Sequence, residues 1–248
     1  MHKSIDELKD AFKRIKENGW VKSLYKGNNG VGLTFESLLG IDRNELEIPD
    51  YNGIELKTKR YSSKSYIILF SSKPEGRFYH EAQRIKDTYG YPHKIYKECK
   101  VLNNSVYCNK KSKIGMNYYF KLDIDREDQR IYLVIFDTKN NQLERSVYWD
   151  FEVLREKLYR KLKYVALIKA YSKIDEDSNF EFFKYNSLKI YKLINFEKFL
   201  EALEKGKIRL NFKLNIKTKG ENLGKIHDHG TSFDILEENF EFLFERIE

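Results

Sequence analysis

The chain has 248 residues, 41% of them hydrophobic and 34% charged, enough to bury a substantial core in one large domain or two closely joined lobes. A formal net charge of +8 and a pI near 9.1 favour a polyanionic partner, and 15% aromatic residues supply rings able to stack on bases. No apolar run approaches the roughly 20 residues of a membrane span and MHKSIDELKD has no hydrophobic signal core, so a cytoplasmic protein without membrane contact is expected.

Ser4-Ile5-Asp6-Glu7 reads as a capping box, and Ile5, Leu8, Phe12 and Ile15 recur at helical spacing until Gly19. A core-facing first helix follows. Residues 19–32, GWVKSLYKGNNGVG, form a Gly- and Asn-rich loop feeding a second helix expected to start near Thr34 and to end at Gly40. Elsewhere such a loop is an ordinary turn. In a phosphate-handling protein its backbone N–H groups beside a helix N-terminus offer an anion site, with Lys22, Tyr25, Lys26, Asn28 and Asn29 as candidate contacts.

Residues 49–57, PDYNGIELK, carry the strongest chemical signal. Asn52-Gly53 predicts a tight reversal, because glycine accepts a positive φ without strain. On the strand that follows, Glu55 and Lys57 share one face while Ile54 and Leu56 take the other. Asp50 reaches the same place from across the turn, so two carboxylates converge beside one ammonium. Hard divalent cations bind such oxygens, and a bound cation activates water and neutralises charge at a phosphoryl centre.

Further along, residues 65–70 form an apolar run that predicts a buried central strand, and Phe78 to Tyr89 a helix closed by Gly90. From Lys94 to Tyr148 an antiparallel meander is expected: strands over 95–101, 118–124, 130–136 and 143–148, with turns at Asn103-Asn104 and Asn140-Asn141. Asp150 precedes a helix to about Leu162, then come strands over 164–174 and 180–193. Asn195 caps a short helix ending at Gly206. In KIRLNFKLNIKTK, residues 207–219, apolar Ile208, Leu210, Phe212, Leu214 and Ile216 alternate with a basic polar face that includes Arg209. Cys99 and Cys108 lack the C-x-x-C spacing of a zinc site and are expected to be reduced structural thiols.

Pro49-Asp50 followed by Glu55, one spacer and Lys57 resembles the signature of the PD-(D/E)xK nuclease superfamily. With GNNGVGLTFESLLG (27–40) upstream and HDHGTSF (227–233) far downstream, the chain resembles the MvaI/BcnI family of restriction endonucleases, relatives of the mismatch-repair nicking enzyme MutH. The resemblance implies an α/β fold: a restriction-endonuclease-like mixed β-sheet flanked by helices, with a catalytic lobe (mainly 1–165) and a DNA-recognition lobe (mainly 166–248) forming a cleft without a linker. It implies catalytic Glu36, Asp50, Glu55 and Lys57, with metal on Asp50 and Glu55. His227, Asp228 and His229, together with Arg209, are then expected at base edges, where imidazole suits guanine acceptors and aspartate accepts from cytosine, and Lys225 is expected as a further DNA contact. The activity implied is that of a type II restriction endonuclease acting on double-stranded DNA and leaving 5′-phosphate ends. Mg²⁺ is the expected cofactor, with Mn²⁺ able to substitute and Ca²⁺ supporting binding without cleavage. A monomer is expected, with a companion methyltransferase as genetic partner. A MutH-like strand nickase, a non-catalytic DNA-binding module and an RNA-processing nuclease are the alternatives.

Overall fold

The computed structural model describes residues 1–41, 48–218, 220–222, 225–228 and 230–248. Its first helix, α1 (His2–Glu17), buries Ile5, Leu8, Phe12 and Ile15, the stripe that the helical spacing predicts. Ser4 does not cap it: the Ile5 amide already donates to the Met1 carbonyl at 3.0 Å, so the first turn closes ahead of the serine. After β1 (Val21–Lys22), α2 (Gly30–Leu38) starts four residues earlier than the Thr34 expected from sequence. Thr34 sits inside this helix, where its Oγ1 accepts from the Leu24 amide at 3.1 Å and ties down the preceding loop.

The chain continues through β2 (Glu55–Arg60), β3 (Ile67–Ser71), α3 (Glu81–Tyr89), β4 (Tyr91–Pro92), β5 (Lys100–Val106), β6 (Ser112–Ile114), β7 (Tyr118–Asp125), β8 (Arg130–Asp137) and β9 (Gln142–Asp150). Then follow α4 (Phe151–Leu162), β10 (Tyr164–Ile174), β11 (Glu181–Leu193), α5 (Phe196–Glu204), β12 (Ile208–Ile216), β13 (Ile226–Asp228), β14 (Ser232–Ile235), α6 (Phe240–Leu243) and β15 (Phe244–Arg246). Asn195 caps α5 as its sequence position predicts, its side-chain oxygen accepting from the Lys198 amide at 2.9 Å. Among the described residues no helix is long and apolar enough to cross a membrane.

Two compact units emerge, each assembled from separated segments. The first comprises Met1–Ser65, Leu158–Ile194 and Leu243–Glu248; the second comprises Tyr66–Lys157 and Asn195–Phe242. Residue 165, where the division between lobes is expected, lies in β10 inside the first unit, where β10 pairs with β2 and β11.

In the first unit the sheet runs β1-β11-β10-β2, with β15 also on β11. All pairings are antiparallel except β10 with β2, which is parallel and sets Glu55 beside Val165 and Lys57 beside Leu167. One face of this mixed sheet is apolar. Ile54, Leu56, Ala166, Ile168 and Ala170 bury with Val31 and Phe35 of α2 and with the α1 stripe. Phe35 is fully buried, its ring 5.0 Å from Tyr185 and 6.3 Å from Phe12.

In the second unit one sheet runs β3-β14-β12-β5-β4 with β13 also on β12, and a second runs β6-β7-β8-β9. The meander expected over 118–148 is this second sheet. Strand β12 alternates buried and half-buried along its whole length, as its sequence does. Two expectations fail. The 65–70 run gives β3, an edge strand paired only with β14 and exposing Ile68, since an apolar run does not tell centre from edge. Asn103-Asn104 is no turn and residues 95–99 form no strand: both asparagines lie within β5, which starts only at Lys100, opposite Lys213 and Phe212, where cross-strand pairing outweighs the local turn preference.

Truncating Phe35 to Ala should cost about 3–5 kcal/mol by opening a cavity where α1, α2 and the sheet meet. Denaturant unfolding of Phe35→Ala against the parent measures it, and a loss under 1 kcal/mol would mean that the site collapses around the deletion.

Candidate active site

The reversal at 50–54 forms as the Asn-Gly pair predicts. Asn52 and Gly53 both take positive φ, 45° and 85°, the combination of a two-residue primed turn. Tyr51 and Ile54 exchange backbone bonds across it, at 3.0 and 2.8 Å. This carries Asp50 back alongside β2, and its Oδ2 accepts from the Leu56 amide at 2.9 Å. An amide of an edge strand thereby fixes the carboxylate of Asp50.

Strand alternation does the rest. Ile54 and Leu56 enter the core, so Glu55 and Lys57 emerge together on the opposite face, and Lys57 Nζ donates to Glu55 Oε1 at 2.7 Å. A second ammonium, absent from any sequence expectation, arrives from the last turn of α4: Lys161 Nζ lies 3.5 Å from the same Oε1. No spacing rule links residue 161 to residue 55, and only the packed structure brings them together. Glu55 is 2% exposed, and its other oxygen, Oε2, is buried without a hydrogen-bond partner. Burial pushes the Glu55 carboxyl above the ordinary glutamate range; Lys57 pulls it down, Asp50 pushes it further up and Lys161 pulls it down.

Among the described residues no three His, Cys, Asp or Glu side chains gather as a metal-binding group. Two carboxylates do converge. That number suits a hard dication that completes its shell with water and substrate phosphate oxygens, and the partnerless Oε2 is an oxygen of the right kind. Asp50 and Glu55 thus fit the ion that the sequence implied.

Glu36 is carried by α2. It lines a hollow with Asn28, Asn29, Gly32 and Thr58, and Thr58, three residues beyond Glu55, belongs to the other face of β2. Gly32 explains how closely α2 approaches there: a Cβ on it would stand 2.8 Å from Thr58 Oγ1. The loop before α2 is anchored to the end of the same strand. Arg60 donates to the Asn28 and Gly27 carbonyls at 2.9 and 3.4 Å while forking onto Glu181 at 2.6 and 2.7 Å. Asn29 stands at the N-cap of α2, and Lys26 lines a second hollow with Ser23 and Phe180. Lys22 Nζ rests 3.5 Å from the Phe180 ring centre, and Tyr25 pairs with Ser37 at 3.4 Å.

The remaining candidates lie in the second unit. Arg209 is committed within the protein: its guanidinium stacks 3.4 Å from the centre of Tyr66 and pairs with buried Asp234 at 3.3 Å. Lys225 and His227 are exposed, with His227 opposite Asn215 and Asp228 opposite Leu214 in the β12–β13 pairing. His229 and the side chain of Asp228 lie outside the described residues.

The model of the MvaI/BcnI restriction endonuclease family matches residues 9–244. The chain belongs to the MvaI/BcnI family. Its architecture agrees: the restriction endonuclease MvaI in complex with its cognate DNA substrate superimposes with a TM-score of 0.90 at 33% identity, covering 99% of this chain and 98% of that one. MvaI in the absence of DNA gives 0.64 at 32% identity, covering 99% and 97%. No curated protein matches the chain. As a member of the MvaI/BcnI family, with that architecture over nearly its whole length, it is a type II restriction endonuclease, a site-specific hydrolase of a family that uses divalent metal ions.

A carboxyl that holds its proton more tightly folded than unfolded contributes stability below its unfolded pKa and loses it as pH rises through its folded pKa. Glu55 is such a group. With chelator present, the stability of Glu55→Gln relative to the parent should therefore rise with pH between pH 4 and neutrality. Thermal unfolding across a pH series tests this, and a relative fall would mean that the lysines outweigh burial.

Proposed function

We propose that this enzyme hydrolyses phosphodiesters of double-stranded DNA at a specific short sequence in a Mg²⁺-dependent reaction, acting as a monomer in the cytoplasm and leaving 5′-phosphate ends. The observation that carries this reading is the Asp50, Glu55 and Lys57 arrangement on β2, with one buried carboxylate oxygen left open. MvaI, the structural relative, binds a cognate DNA substrate.

Asp50 and Glu55 would hold the ion. Mg²⁺, when bound there, lowers the pKa of water and neutralises charge developing at the phosphoryl group. The ammonium of Lys57 donates to the attacking water and holds it in line with the scissile bond. A P–O bond forms to that water as the bond to the 3′ oxygen breaks. The water's proton passes to solvent and the 3′ oxygen leaves protonated. Lys57 also stands where negative charge grows on the phosphate, and a charge-assisted donor is worth most in a site screened from water. Mn²⁺ should replace Mg²⁺, whereas Ca²⁺ should support binding alone.

DNA contacts divide by chemistry. Lys22, Tyr25, Lys26, Asn28 and Asn29, in the loop that Arg60 anchors, suit the phosphate backbone. Lys225, His227, Asp228 and His229 suit base edges, and Arg209 can join them only by giving up part of its bond to Asp234. A companion methyltransferase that protects the host site is the genetic partner this reading requires.

Incubation with unmethylated phage DNA and Mg²⁺ should yield discrete fragments sharing a short motif at their ends. Nicked but unlinearised DNA would point to a MutH-like nickase, and intact DNA to a binding module. Lys57→Ala should abolish cleavage yet bind cognate duplex in Ca²⁺ much as the parent does; loss of binding and fold together would make Lys57 structural. His227→Ala should lose about 1–3 kcal/mol of discrimination at one base pair while keeping non-specific affinity, which competition binding on single-mismatch duplexes measures. An unchanged site preference would remove His227 from the reading set.

A further inference from the structure

Lys57 has two duties that compete. It is the nearer counter-ion of Glu55, at 2.7 Å, and it is the donor the proposed reaction needs at the scissile phosphate. The Glu55 side chain is 3% exposed, so the departure of Lys57 with no other cation at hand would leave a buried charge uncompensated, which would strongly oppose the movement. The site contains the remedy. Lys161 reaches the same Oε1 at 3.5 Å, on a side chain 30% exposed and carried by a helix turn pinned by buried Leu158 and Leu162. It also stands at the C-terminal end of α4, where a cation is favoured. Both ammonium groups choose Oε1, which leaves Oε2 open.

We propose that Lys161 is a positioning residue: it holds the charge of Glu55 while Lys57 turns to the water and the phosphate, and it keeps Oε1 engaged so that buried Oε2 stays without a hydrogen-bond partner. This rests on the reading of Asp50, Glu55 and Lys57 as the nuclease site. Glu55 is then a shared anion with a resident and a relief cation. Lys57 becomes mobile without the site losing charge balance.

Two measurements test it. The first uses the protein alone, with chelator: unfolding of the parent, Lys57→Met, Lys161→Met and the double variant. Each single variant leaves Glu55 one ammonium, so the double variant should lose more stability than the two single losses together; additive losses would overturn the proposal. The second uses cleavage of cognate duplex. Lys161→Met should lower kcat tenfold or more, a factor equivalent to about 1.4 kcal/mol of barrier, with KM for DNA within about twofold, and Lys161→Arg should restore most of the rate. A raised KM with a shallower salt dependence and intact kcat would make Lys161 a phosphate-backbone contact instead. Failure of the parent to cleave any duplex would sink the nuclease reading, whereas the unfolding cycle would still report on the shared anion.

Discussion

A carboxylate buried on the polar side of one strand governs the rest of this structure. Glu55 is nearly sealed from water, and burial disfavours its charge. It is retained because its strand is fixed on every side: Leu56 and Ile54 anchor the other face in the core, β10 binds one edge, and Asp50 closes on the Leu56 amide. Remove any of these and the register that aims Glu55 and Lys57 together is lost. Two lysines then make the buried charge tolerable, and a divalent ion would do so more strongly. On the proposed reading the site stands between a paired state without metal and a loaded state with it.

The same strand organises the loop nearest to it. Arg60, three residues beyond Lys57, forks onto Glu181 and holds the carbonyls of residues 27 and 28, while Gly32 lets α2 settle against Thr58. One short strand thus carries the proposed catalytic groups at its start and a clamp on the placing of α2 at its end. Precision in one is mechanically tied to precision in the other.

Much of this was legible in the sequence, and the reasons differ from residue to residue. The Asn-Gly reversal and the period of two set Asp50, Glu55 and Lys57 in relation to one another, because all three lie within one turn and one strand. Strands 164–174 and 208–216 and the α5 cap follow equally local rules. What escaped depends on partners distant in sequence. Lys161 reaches Glu55 from another helix, Asn103 and Asn104 are drawn into β5 by β12, and Arg209 is claimed by Asp234 and Tyr66. Glu36 is singled out by family likeness alone, and the structure sets it in a hollow with Thr58.

The interleaving of the two units has a bearing on how the enzyme is made. Strand β2 ends at Arg60, yet its one sheet partner, β10, begins at Tyr164, and the lysine that completes the surroundings of Glu55 comes at 161. During synthesis the second unit's segment from Tyr66 to Lys157 leaves the ribosome between them. A nascent chain therefore carries its acids and its lysine on a strand with nothing to pair with, and long-range pairing of this kind is slow to form. The proposed centre is thus assembled late: a fragment from interrupted translation holds the motif without the strand and the lysine that surround it in the finished fold.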